Sequence, residues 1–176
     1  SLSDDARADN SIVRSAFDGL AAAGVTIVVA AGNGGRRGPE EATRTIPARY
    51  ASVIAVSALA DGNGEGGEGI GLFKVTRRYY ELDESFADFS NYGAGVSLIA
   101  PGVKILSTFK NRNYAYLSGT SQATPHVAGA AALYRVKHPN ATPSEVRSAL
   151  RAAGTQFSPI DAPDPDYEPA LDVSGF

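Results

Sequence analysis

Gly119-Thr120-Ser121-Gln122-Ala123-Thr124-Pro125-His126-Val127-Ala128-Gly129 is the stretch on which the reading of this chain turns. Before it, Lys110 to Tyr116 is rich in Asn, Arg and Tyr and reads as a loop; after it, Ala123 to Lys137 reads as a helix of small and apolar residues. A serine at such a junction sits among backbone N–H groups with no intrahelical acceptor, at the positive end of the helix dipole. That corner favours an attacking alkoxide or a developing oxyanion. Gly119 permits a close approach, and Pro125 is expected within the first turn, where its missing N–H costs little. The plainer reading makes Thr120 or Ser121 a helix cap and nothing more.

Working outward, Asn10 to Ala23 has the spacing of an amphipathic helix, with Ile12, Val13, Ala16, Phe17, Leu20 and Ala21 on one face and Gly24 after its end. Val25 to Ala31 is a nearly unbroken apolar run and predicts a strand buried on both faces of a parallel sheet. Gly32-Asn33-Gly34-Gly35 follows at the carboxyl end of that strand, where open α/β sheets bind ligands. A dinucleotide fingerprint is the competing reading, but Gly38 is misplaced for it and Pro39 opens no helix there. Ser52 to Ala58 predicts a second buried strand, Val96 to Val103 a third that ends in a Pro-Gly turn, and Ile105 to Thr108 a short edge strand. Between them, Asp61 to Gly71 is acidic and glycine-rich. It imitates half of a calcium-binding loop, but Leu72 stands where the closing Glu belongs. Phe73 to Tyr80 suits a hairpin arm. Thr142-Pro143-Ser144-Glu145 is a capping box that opens a last amphipathic helix, with Val146, Ala149 and Leu150 inward. From Gly154 the chain is rich in Pro and Asp and carries no regular pattern.

Length and composition set the bounds. The 176 residues are 43% hydrophobic with a net charge of -3, which suits one domain with a real core. No clustered basic face points to nucleic acid, and no apolar run approaches the roughly 20 residues that cross a bilayer. Cysteine is absent, excluding disulfides and thiolate metal sites. Methionine is absent even at position 1, so the sequence is expected to begin inside a longer product.

The stretch around Ser121 resembles the nucleophile motif of the subtilisin-like serine peptidases, in which Gly-Thr-Ser is soon followed by Pro-His-Val-Ala-Gly. Ala30-Ala31-Gly32-Asn33 and the segments Phe86 to Gly93 and Val96 to Val103 extend the likeness. The resemblance implies an α/β fold: a subtilisin-like three-layer parallel sheet with helices on both faces, represented here only by its C-terminal portion. Residues 1–176 then form part of one domain, with 61–84 an insertion and 155–176 an irregular tail. It makes Ser121 and Asn33 the catalytic residues, the asparagine amide donating to the oxyanion without a charge. In a member of this family, loss of that donor costs about 10²–10³ in turnover.

The resemblance also assigns substrate binding to Ser1, Leu2 and Ser3 as an edge strand, to Ala30, Ala31 and Gly32 as a pocket wall, to Thr45 at the pocket floor, and to Thr120. No cofactor is needed for the chemistry. No metal site is assigned; the resemblance leaves room for structural calcium, and in some relatives the carbonyls at Ala48, Tyr50 and Val53 could hold a cation. The implied partners are a peptide or protein substrate and the N-terminal part of the same domain, without nucleic acid or membrane, in an extracellular setting. Many relatives carry Met where Gln122 stands.

A serine hydroxyl needs a positioned base. His126 lies five residues from Ser121, about 140° round a helix and roughly 7.5 Å along it; His138 lies about 25 Å away. Neither suits the task, and the family's order of Asp, His, Ser puts both partners before residue 1. The alternative is a non-catalytic half-domain or processed fragment that binds a partner or its own N-terminal segment.

Overall fold

The computed structural model describes residues 4–5, 11–34, 41–62, 72–74, 80–156 and 168–176. In chain order these form β1 (Asp4–Asp5), α1 (Ser11–Ala22), β2 (Val28–Ala30), β3 (Thr45–Ile46), β4 (Ile54–Ala60), β5 (Leu72–Lys74), β6 (Tyr80–Leu82), β7 (Ser85–Phe86), β8 (Leu98–Pro101), β9 (Ile105–Phe109), β10 (Asn113–Leu117), α2 (Thr120–Lys137) and α3 (Pro143–Ala153).

An uncharged sequence makes β4 the centre of the sheet, with β2 parallel on one side (Val28 opposite Ile54) and β8 parallel on the other (Val56 opposite Leu98). The sheet is mixed rather than wholly parallel, because β7 pairs antiparallel with the last residues of β4. All seven β4 residues are buried, as expected of a strand covered on both faces. Alternate residues go to opposite sides. Ile54, Val56 and Ala58 join Leu98 and Ala100 against Ala123, Val127 and Ala130 of α2 and Val146 and Leu150 of α3. On the other side Ala55 packs with Val29, Ala31, Ala42, Ala48 and Val96.

Four sequence expectations change. The strand expected over Val25 to Ala31 shortens to β2. Only Ala30 in it is buried, because among the described residues β2 has a neighbouring strand on one side alone. The stretch Lys110 to Tyr116 is not a loop: β10 pairs with β9 from Asn113 opposite Phe109 to Leu117 opposite Ile105. Its polar turn at Lys110–Arg112 masks a strand whose tyrosines and leucine suit a pleated surface. Helix α2 begins at Thr120, three residues earlier than expected, so Pro125 lies inside it and cannot donate to the Ser121 carbonyl. The tail is not wholly loose, since Ala170 bridges both Ile99 and Thr155.

Other expectations hold. Helix α1 closes with Val25 N–H donating to the Leu20 carbonyl at 3.0 Å and Gly24 N–H to that of Ala21 at 2.9 Å. Strands β5 and β6 pair antiparallel as the arm expected near Phe73 to Tyr80. The calcium-like loop falls mostly outside the described residues. Yet α1 buries none of its residues: Ile12 is 78% exposed and Leu20 49%. A twelve-residue helix is marginal in water alone, so this stripe calls for cover.

The capping box of α3 forms as read: Glu145 N–H donates to the Thr142 hydroxyl oxygen at 3.3 Å, and Thr142 N–H donates to the Glu145 carboxylate at 2.7 Å. These bonds from Thr142, backbone first and then side chain, hold the Glu145 carboxyl below its usual value. A depressed carboxyl stabilises the fold above its unfolded pKa, and that share is lost as pH falls through the lower folded value. Thr142→Ala is expected to destabilise the protein by about 1 kcal/mol in denaturant unfolding at neutral pH. Its deficit against wild type should shrink as acid protonates Glu145.

Candidate active site

The loop after β2 and the start of α2 meet at the carboxyl end of the parallel strands. Gly102 N–H donates to the Leu59 carbonyl at 2.9 Å, and Gly119 N–H donates to that of Gly102 at 2.8 Å. These bonds set the first turn of α2 over the ends of β4 and β8. Gly119 has φ 155° and ψ 159°, a region reserved for glycine, and a Cβ there would stand 2.9 Å from Gln122 Oε1.

Thr120 N–H donates to Asn33 Oδ1 at 2.9 Å, and the Thr120 hydroxyl donates to the same oxygen at 3.1 Å. Gly32 N–H in turn donates to Thr120 Oγ1 at 3.3 Å. A backbone N–H can only donate, so the amide of Asn33 must present its oxygen to Thr120 and turn its NH₂ the other way. That NH₂ lies 3.6 Å, and the Ser121 nitrogen 3.7 Å, from the point where a Gly119 side chain would begin. Two nitrogen donors therefore flank one glycine, at the positive end of an eighteen-residue helix. Asn33 is exposed and Ser121 half-buried, so the corner is open to solvent.

The loop holding Asn33 is braced from behind. Gly34 N–H donates to the Phe89 carbonyl and Asn91 N–H to that of Gly32, both at 2.9 Å. The Asn91 side chain donates to the Ala31 carbonyl at 3.2 Å, and Ser90 Oγ accepts the Ala58 N–H at 2.9 Å. The sequence reading missed Ser90 and Asn91 as supports. Two buried polar residues beside a glycine turn are the available signal.

The other expected residues divide. Ala30, Ala31 and Gly32 are buried along the loop, and the Thr45 hydroxyl donates to the Ala31 carbonyl at 2.9 Å and to that of Ala42 at 3.0 Å. The side chain of Thr120 is fully buried, its hydroxyl accepting from Gly32 and donating to Asn33. Ser1, Leu2 and Ser3 lie outside the described residues, though the next two, β1, pair antiparallel with β3 at Thr45–Ile46. His126 is exposed, its Nδ1 2.9 Å from the Gln122 carbonyl; His138 stacks on Tyr134 with ring centroids 4.3 Å apart.

For a metal, the described residues contain no group of three or more His, Cys, Asp or Glu side chains. The carbonyls of Ala48, Tyr50 and Val53 fit a cation poorly. That of Tyr50 accepts the Val53 N–H at 3.3 Å, the guanidinium of Arg147 reaches the adjoining Ala51 carbonyl at 3.0 Å, and that of Arg14 lies 5.5 Å from the Tyr50 ring centre.

Gly32 has φ 106°, and a Cβ on it would come within 2.6 Å of Asn91 Nδ2. Gly32→Ala is expected to destabilise by about 2 kcal/mol through backbone strain, with a larger loss if Asn91 is displaced. Thermal unfolding measures it, and an unchanged midpoint would contradict this account of the loop.

The chain is similar to known proteins over most of its length. Over 145 residues the chain is 38% identical to subtilisin DY of Bacillus licheniformis, covering 82% of this chain and 45% of that protein. It is 35% identical over 150 residues to alkaline elastase YaB of a Bacillus species, covering 85% and 33%. A crystal structure of a cold adapted subtilisin-like serine proteinase aligns with a TM-score of 0.72 at 31% identity, covering 91% of this chain and 48% of that one. The chain thus spans less than half the length of the relatives it matches. The model of the subtilase family (Peptidase_S8) matches residues 1–162, and the chain belongs to that family.

Proposed function

We propose that this chain carries the nucleophile and half the oxyanion hole of a serine endopeptidase. The observation behind this reading is the pair of bonds from Thr120 to Asn33 Oδ1, which leaves the asparagine NH₂ beside the Ser121 nitrogen. In this reading Ser121 Oγ attacks the scissile carbonyl, and its proton passes to a base. The carbonyl oxygen becomes an anion held by Asn33 Nδ2 and the Ser121 N–H. Collapse expels the amine, which takes the proton, and water then releases the acyl group from Ser121. Ala30, Ala31, Gly32 and Thr45 form the wall and floor of the pocket for the residue before the cut.

The base and its orienter come from residues outside 1–176, because His126 is held at the Gln122 carbonyl and His138 is stacked at the far end of α2. The N-terminal part of the domain supplies them and covers the faces left open here. Those faces include the apolar stripe of α1, the free side of β2, and Leu133 and Val136 on α2, 53% and 80% exposed. No helix among the described residues is long and apolar enough to cross a membrane, and an extracellular setting accords with this reading.

A fluorophosphonate reacts only with an activated serine. Protein expressed from its complete reading frame should label at Ser121, while residues 1–176 alone and the Ser121→Ala variant should not. Absence of labelling in the complete protein would favour the binding half-domain instead. Asn33→Asp keeps the oxygen that accepts from Thr120 but removes the donor, so turnover should fall by about 10²–10³ with little change in unfolding midpoint.

Gln122 adjoins the nucleophile, and residues 1–176 contain no methionine or cysteine. Peptidase activity should therefore survive dilute peroxide, which converts Met to its sulfoxide. Gln122→Met should make activity peroxide-sensitive, and equal resistance in both forms would count against a position beside the reacting atoms.

A further inference from the structure

The surroundings of Tyr50 that suit a cation poorly point the other way. A cavity of about 450 Å³ opens between α3, the segment Thr43 to Ala51 and the loop Ala94 to Ser97. Among the described residues three arginines line it, Arg49, Arg147 and Arg151, and no Asp or Glu does. Thr43 also lines it, and its hydroxyl donates to the carboxylate of Glu41 at 3.1 Å.

Two of these groups are held in place by the fold. Arg147 Nη1 donates to the Ala51 carbonyl at 3.0 Å, and Arg151 Nη1 to the carbonyls of Ser97 at 2.8 Å and Val96 at 3.4 Å. A guanidinium has five N–H donors, so each keeps a fork of donors beyond these bonds. Arg147 and Arg151 stand one turn apart on α3, where like charges repel. Among the described residues no hydrogen bond or ion pair reaches the Arg49 guanidinium. Among the described residues no carboxylate lines the cavity to match these pinned cations, and multivalent oxyanions match guanidinium forks two bonds at a time.

We propose that this cavity binds a small multivalent oxyanion, a phosphate or a polycarboxylate, between Arg49, Arg147 and Arg151. The site is independent of the peptidase reading, since none of its residues belongs to the Ser121 corner.

The test is calorimetric titration of the protein from its complete reading frame with sodium phosphate and with sodium citrate, against sodium chloride at matched ionic strength. Saturable binding of phosphate or citrate is expected, with the tighter of the two naming the ligand class. Arg49→Gln, which breaks no bond seen among the described residues, should weaken binding at least fivefold while leaving the anion-free unfolding midpoint unchanged. Arg151→Lys, which keeps the charge and loses the fork, should weaken it as well. Phosphate and sulfate also stabilise proteins by exclusion from their surfaces. A rise in unfolding midpoint that is unsaturated and equal in wild type and both variants, or chloride binding as well as phosphate, would overturn the proposal.

Discussion

One side-chain oxygen holds this half of the fold to its site. Asn33 Oδ1 takes two hydrogen bonds from Thr120, and Gly32 N–H returns one to the Thr120 hydroxyl. The loop after β2 and the first turn of α2 are thereby joined across 87 residues of chain. Each bond is worth on the order of 1 kcal/mol net, but leaving buried Thr120 without partners would cost more. The lock also chooses an orientation. With oxygen committed to Thr120, the asparagine has only its NH₂ to offer the solvent side. The same contacts that fasten the helix therefore decide which charge the corner welcomes.

Everything behind that corner is built for close approach. Alanines of β4 and α2 meet at the sheet surface, which brings the helix near enough for its first turn to reach the strand ends. Gly102 shows how little room remains: a Cβ on it would lie 2.6 Å from Ala58 Cβ and 3.1 Å from the Gly119 carbonyl oxygen. Packing density here is a positional requirement as much as a source of stability. By contrast, α1, the outer face of α2 and the hairpin of β9 and β10 keep large apolar side chains in water; Tyr114 is 71% exposed. Such surfaces fit a chain that spans less than half the length of the relatives it matches.

What could be read in advance was local. The Gly-Thr-Ser stretch at the start of α2, the Gly-Asn loop, the capping box and the end of α1 each announce themselves within a few residues, because glycine, proline and short polar side chains act on their own backbone. The central strand was legible for the same reason, as an uncharged run. What escaped depended on partners distant in sequence. The start of α2 was misplaced because Thr120 looks like an ordinary cap until Asn33 is beside it. Ser90 and Asn91 act through contacts to Ala58 and Ala31. Strand β10 hid behind a polar turn, and the half-buried state of β2 reflects a neighbour it lacks among the described residues, not its own composition.

The same limit explains the arginines. Arg49 is separated from Arg147 by nearly a hundred residues, and each looks like a solvated surface charge where it stands. Folding brings them to one cavity because α3 packs over the end of the sheet and the Thr43 to Ala51 segment runs past it. That segment is shared. Its Thr45 hydroxyl donates to the Ala31 carbonyl just before the Asn33 loop, while Thr43 and Arg49 line the cavity. A stretch with apolar contacts on one side and, among the described residues, unmatched positive charge on the other is poorly suited to hold a metal through neutral carbonyls alone. An anion at the guanidinium forks would balance that charge and leave the wall beside Ala31 undisturbed.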